Sequence, residues 1–135
     1  MEDITAYHHT NEAAALNILA HGFDSKVFKK VSLGFGVQCF LYKQKYPPYE
    51  GKTDGQIEVF FKNCNVLRNK KLIEESRSLI RDGIDDNERL KIAKEEAERI
   101  KQLGYDAYIA EAAAGREAIV FLNFPQPIKW IPYIE

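Results

Sequence analysis

The chain has 135 residues, 45% hydrophobic and 29% charged, which suits one globular domain with its own core and excludes a disordered or fibrous chain. Nineteen Lys and Arg against twenty Asp and Glu leave a net charge of -1, without the basic excess of a dedicated nucleic-acid or membrane-surface binder. Cys39 and Cys64 have no CxxC spacing and no histidine in a metal-ligand pattern, so no metal is expected and the compartment reads as reducing.

Ile4 to His8 reads as a strand, with Ile4, Ala6 and His8 on one face and Thr5, Tyr7 and His9 on the other. Thr10 and Asn11 are good N-caps, Glu12 follows in the first turn, and a helix is expected to Leu19 or Ala20, with Leu16, Leu19, Ala20 and Phe23 as its apolar stripe and Gly22 as its stop. Two imidazoles therefore lie beside the free N–H groups of a helix start, a place suited to an anionic or amide-bearing ligand. Asp24 to Ser32 is a basic connector with Lys26, Lys29 and Lys30. Gly34-Phe35-Gly36 then leads the apolar run Val37 to Tyr42, a strand. This G-x-G lacks the third glycine and the following helix of a dinucleotide fingerprint. Lys43 to Asp54, with Pro47-Pro48, Tyr46 and Tyr49, is long enough for a mobile flap.

Gln56 to Lys62 alternates as a strand, bent by Asn63 to Asn65 and anchored at its exit by Val66-Leu67. Asn69 caps a helix whose stripe is Leu72, Ile73, Ser76, Leu79 and Ile80 and which ends near Gly83. A longer helix starts near Asp86 or Asn87, turns Leu90, Ala93, Ala97, Ile100 and Leu103 inward, and is capped by Gly104. The run Lys94 to Arg99 is a solvated face with pairs such as Glu95 to Arg99. From Gly104 to Ile131 two short strands, joined by a small-residue loop, precede a Pro-rich turn and a last strand. Glu117 is the lone carboxylate at the mouth of an apolar strand, where either a cleft-facing acid or an ordinary solvated strand end would be found. The order β-α-β-β-α-α-β-β-β, with helices inserted between strands, predicts a single α+β domain over residues 1–135. No apolar run approaches the ~20 residues that cross a bilayer. The chain is expected to be cytoplasmic, and delivery into a target cell by a dedicated machine would leave no readable signal.

Taken in order, Tyr7-His8-His9-Thr10 before a helix ending Gly22-Phe23, Gly34-Phe35-Gly36 before a strand, Gly104-Tyr105-Asp106-Ala107, and a hairpin opening on Glu117-Ala118-Ile119-Val120-Phe121 resemble the ADP-ribosyltransferase fold. The narrower resemblance is to its diphtheria-toxin and poly(ADP-ribose) polymerase branch, marked by a His, a Tyr and a Glu on three strands. It implies a split antiparallel β-sheet core with inserted helices, and NAD as the substrate. It further implies that His8 bonds the adenosine ribose, that the backbone of His9 grips the nicotinamide amide beside Thr10, and that Glu117 holds the nicotinamide-ribose 2'-hydroxyl. Gln38 stands where the family tyrosine would follow Gly36, with Phe40 and Tyr42, or Phe35, Tyr46 and Tyr49 from the flanking loops, as candidates to stack on nicotinamide.

The expected activity is that of a mono-ADP-ribosyltransferase, transferring ADP-ribose from NAD to a protein, nucleic acid or small-molecule acceptor. A minimal domain of this kind suits a bacterial or phage effector or toxin, with an inhibitor or immunity protein as a further partner and no membrane. The competing expectation, motivated by Gln38 and His9, is a catalytically inactive binding module that keeps the fold for a protein or nucleotide partner.

Overall fold

The computed structural model describes residues 1–24, 33–47, 53–112 and 115–133. Outside the described residues lie the basic connector from 25 to 32, residues 48–52 of the expected flap with Tyr49, and positions 113 and 114 of the small-residue loop. In chain order the elements are β1 (Glu2–Thr10), α1 (Glu12–His21), β2 (Val37–Phe40), β3 (Gly55–Cys64), β4 (Val66–Leu67), α2 (Lys70–Arg81), α3 (Asp86–Gln102), β5 (Ala107–Glu111), β6 (Glu117–Phe121) and β7 (Gln126–Pro132). This is a mixed α+β architecture with one seven-stranded sheet, ordered β4-β5-β6-β2-β1-β3-β7. All neighbours are antiparallel except β4 and β5, which run parallel. No helix among the described residues is long and apolar enough to cross a membrane.

The sheet is not uniform. β1 and β3 are zipped along Ile4–Thr10, and β2 and β6 along the whole of β2, whereas β1 and β2 meet at one residue pair, Tyr7 opposite Phe40. Two ladders, β4-β5-β6-β2 and β1-β3-β7, thus share a narrow seam. At that seam the sheet turns on itself. β3 and β6 are three strands apart, about 14 Å in a flat sheet, yet the rings of Phe61 and Phe121 stack with centroids 5.8 Å apart. The inner faces of both ladders accordingly feed one core, containing Ile4, Ala6, Ile57 and Val59 from one side and Val37, Cys39, Ala107, Ile119 and Phe121 from the other. α1 contributes Ala15 to this core. The outer face of β4-β5-β6 is covered by α2 and α3 through Ile73, Ala97 and Ile100 against Tyr108, Ala110, Val120 and Leu122.

The helix boundaries follow their caps. The Asn11 side chain accepts from Ala14 N, that of Asn69 from Lys71 N and Leu72 N, and that of Asp85 from Glu88 N. Which face is buried differs in part from the expected stripes. α1 buries Ala15 and leaves Leu16 56% exposed, while Leu79 on α2 and Leu103 after α3 are also exposed. α1 packs on β3 and β7 through Ala15 with Ile18 and Leu19 beside it, and Leu16 falls on the face turned away from the core. On α3 Arg99 pairs with Glu96, three residues before it, rather than with Glu95.

Both glycines of Gly34-Phe35-Gly36 answer to packing. Gly34 has φ 123°, and the Tyr108 ring crosses so close that a Cβ would lie 1.6 Å from its Oη, which donates to Leu33 O at 2.5 Å. A Cβ on Gly36 would meet the Phe121 carbonyl oxygen at 2.5 Å and Val120 Cγ1 at 2.9 Å. Gly36 therefore sets how closely β2 enters beside β6. Gly36→Ala is expected to spread this ladder and to cost roughly 1–3 kcal/mol, read as a lower urea midpoint at unchanged slope; an unaltered midpoint would show that the close approach is not a constraint.

Candidate functional site

The seam positions His8. Its Nδ1 lies 2.8 Å from the Gln38 carbonyl oxygen, across the gap that the backbone ladder leaves open. A carbonyl can only accept, so Nδ1 carries the proton and Nε2 of the neutral ring is an acceptor. Burial pushes the His8 imidazole below its ordinary value, and the bond to Gln38 only partly opposes this. His8 is thereby held as a neutral ring whose other nitrogen is suited to a hydroxyl donor. Phe23, just beyond α1, closes one side of the ring edge-on at 5.5 Å, and Phe124 touches Phe23 in turn at 6.3 Å.

Glu117 opens β6 and is exposed. Tyr7, Phe40 and Ala118 form one cross-strand row, so their neighbours His8 and Glu117 point to the opposite, inner face together. Two strand spacings and two residues along the strand separate them, roughly 12 Å. They cannot act as a hydrogen-bonded dyad, and Ala6, Cys39 and Ile119 on the same face between them are buried in the core. Directly across from Glu117 stands Glu111. Both carboxylates line a cleft of ≈ 660 Å³ between α2 and the β5–β6 hairpin, with Arg68, Lys70, Glu74 and Arg77; it opens at the hairpin end on the α2 side and does not include His8. Arg68 pairs with Glu2, and Arg77 donates to the Glu111 carbonyl at 3.4 Å.

The remaining expected residues divide between the two faces. Gln38 is half-buried on β2, with its carbonyl taken by His8 and its amide turned back to Gly34 O at 3.2 Å. Thr10 ends β1, and its carbonyl accepts from Asp54 N at 3.1 Å. Gly36 leads into β2, where its lack of a side chain is required by β6. Phe40 belongs to the outer face with His9, against whose ring it stands edge-on at 5.3 Å. Tyr42 lies beyond the end of β2 and is 72% exposed, and Phe35 packs toward the α2–α3 layer under Lys94. Strand alternation thus gives His8 and Glu117 to the inner face, on different ladders and with core residues between them, and His9 and Phe40 to the outer face.

His9 is buried and stacks on Tyr133, whose Oη is 2.6 Å from His9 Nδ1 and 2.9 Å from Thr53 Oγ1. Nε2 is buried with no hydrogen-bond partner among the described residues. Nearby, the fully buried Gln56 clamps the backbone of Gln44 from both ends of its amide. Sequence reasoning passed over Tyr133, Glu111, Phe124 and the ring contact of Phe23. Of these only Glu111 carried a signal, because the Glu111–Glu117 pairing follows once the two strands are read as a hairpin.

Burial first, then the His8 and Arg116 charges, lower the His9 value to about 4. The unfolded chain therefore takes up a proton near the ordinary imidazole value of about 6.5 that the folded state refuses. Stability is full above that value and falls as pH drops through the window toward 4, by roughly 3 kcal/mol. Urea titrations at about pH 7.5, 6, 5 and 4.5 should show this decline. In His9→Leu most of the slope should vanish, the remainder belonging to His8; a wild-type profile flat to about pH 5 would contradict the assignment.

Compared with protein families, curated proteins and solved structures, the chain has no significant match in any of the three.

Proposed function

We propose that the chain is an NAD-dependent mono-ADP-ribosyltransferase. The observation that carries this reading is the pairing of a neutral His8 acceptor with an exposed Glu117 on the same inner face. A dinucleotide has two riboses joined by a pyrophosphate, and each of these two side chains suits a ribose hydroxyl. The motifs that resemble the diphtheria-toxin and poly(ADP-ribose) polymerase branch name the same two residues.

In this reading His8 Nε2 accepts from the adenosine ribose, the backbone at His9, beside Thr10, receives the nicotinamide amide, and Glu117 accepts from the nicotinamide-ribose 2'-hydroxyl. The bond between C1' and the pyridinium nitrogen breaks with its electron pair going to nicotinamide, which leaves neutral. The positive charge that develops on the ribose is then stabilised by the Glu117 carboxylate. An acceptor nucleophile forms the new bond to C1' and gives up its proton. The Glu111 carboxylate opposite Glu117 stands where it can orient the acceptor or take that proton. The acceptor itself is a protein, nucleic acid or small molecule, and a bacterial or phage effector or toxin, acting in the cytoplasm of the cell that makes it or receives it, is the setting that fits a minimal domain.

A second reading keeps the fold without the chemistry, as a binding module for a protein or nucleotide partner. Gln38 favours it, because an amide turned back onto Gly34 O offers no ring at the expected stacking position.

The deciding experiment incubates the purified protein with NAD, with and without cell lysate, and quantifies free nicotinamide. Glu117→Ala should lower release by about 100-fold or more without moving the melting temperature, since the side chain is exposed, and His8→Ala should abolish release as well. Because His8 acts while neutral and its proton affinity is depressed, release should stay level as pH falls through about 6.5 and decline only at lower pH. Release retained in Glu117→Ala would remove the assigned role. No release and no NAD-induced thermal shift in the wild type would leave the binding-module reading.

A further inference from the structure

One hydrogen-bond cycle closes over His9. Asp54 donates its N–H to Thr10 O at 3.1 Å, accepts the Glu12 N–H on Oδ2 at 3.1 Å and accepts the Tyr133 N–H on its carbonyl at 3.2 Å. Tyr133 Oη completes the cycle, 2.6 Å from His9 Nδ1 and 2.9 Å from Thr53 Oγ1. Thr53-Asp54, just before β3, and Tyr133, just after β7, are thereby tied to the junction of β1 and α1. The His9 ring inside is buried, whereas Asp54 is exposed and Thr53 and Tyr133 are half-buried. We propose that this cycle is an acid-released clasp: a proton on His9 frees Tyr133 and Thr53-Asp54 from the β1–α1 junction while the sheet stays folded.

A protonated ring has no place inside the closed clasp. Both of its nitrogens then carry N–H groups, and Tyr133 Oη can accept from Nδ1, but Nε2 is buried with no partner among the described residues. The surrounding charges do not help. His8 on β1 and Arg116 at the β5–β6 hairpin both oppose a positive ring, Tyr133 is a neutral phenol, and the Asp54 carboxylate is engaged by the Glu12 N–H. Phe40 on β2 and Gln56 on β3, which also flank His9, carry no charge. The release is local because the cover is thin. Tyr133 stands one residue beyond β7, and its bonds to Asp54, Thr53 and His9 lie at the rim, where water can replace them. Beneath it, His9 pairs with Gln56, Thr10 with Gly55 and Gly55 with Pro132, in ladders that the release leaves in place. The stretch from His9 to Thr10 is the one assigned above to the nicotinamide amide, so acid release loosens that end of the pocket. The clasp itself does not rest on that assignment.

The test is hydrogen exchange followed residue by residue by NMR at about pH 7 and 5, over urea concentrations below the unfolding transition and with rates corrected for intrinsic exchange. The Asp54 and Tyr133 amides, each donating within the cycle, report the clasp, and those of the buried Ile57 and Val59 report the sheet. Opening at Asp54 and Tyr133 should rise roughly 20-fold at the lower pH, given an imidazole value of about 6.5 in water against about 4 in the clasp, and should not depend on urea. Ile57 and Val59 should keep the urea slope of global unfolding. In His9→Gln, which cannot take the proton, the rise should vanish. Tyr133→Phe, which keeps the ring and drops the hydroxyl, should open Asp54 already at the higher pH. Asp54 and Tyr133 amides that share the urea slope of Val59 at the lower pH would overturn the clasp, because they would then open only with the whole fold. The same rise retained in His9→Gln would overturn it by placing the proton elsewhere, as would wild-type protection of Asp54 in Tyr133→Phe.

Discussion

The turn of the sheet at the β1–β2 seam is the constraint on which the rest of the structure depends. With Tyr7 and Phe40 as the one backbone pair there, the two ladders are free to face each other, and their inner side chains meet in a common core. The same opening leaves the Gln38 carbonyl to the His8 side chain rather than to a ladder partner on β1. A buried carbonyl left alone would be costly, so the imidazole contributes to stability as well as to the site. Its tautomer, and hence the acceptor it offers, is a consequence of how the sheet divides.

Around that seam the chemistry is asymmetric between faces. Adjacent residues on a strand point to opposite sides, so the pair His8-His9 supplies two unrelated environments from two consecutive positions. His8 borders the inner face with Phe23, while His9 is sealed behind the sheet with Phe40 and Tyr133. Glu117 returns to the inner face from a different ladder, and Glu111 accompanies it across the hairpin. The two halves of the proposed site are thus contributed by the two halves of the sheet.

Much of this is legible in the sequence. Asn11, Asn69 and Gly22 mark their helix ends as caps do, and the alternation in Gln56 to Lys62 and in Glu117 to Phe121 matches strands β3 and β6. Capping and alternation are local, so a sequence can carry them. The parallel pairing of β4 with β5 and the turn at the seam cannot be read in this way, because both are set by contacts between residues far apart in the chain. Periodicity alone turns Leu16 and Leu103 inward, and the shape of the covering surface decides otherwise. By spacing, Phe23 is one member of a helical stripe, and only the tertiary fold brings its ring to His8. The roles that the family resemblance gives to His8 and Glu117 are ones the geometry accommodates on a shared face, as a proposal about activity.

The order of strands also bears on how the molecule behaves in company. An exposed sheet edge is a template on which a second chain can pair, and the two edges here are β4 and β7. β4 is two residues long, too short to guide a partner strand, and it runs directly into the charged Arg68 and the cap of α2. β7 carries Pro127 and Pro132, which have no N–H to donate, and Lys129 between them, whose charge would be desolvated by a neighbouring strand. A sheet closed to growth at both margins resists fibril-like accretion, so its hydrogen-bonding capacity is spent within the molecule rather than on copies of itself.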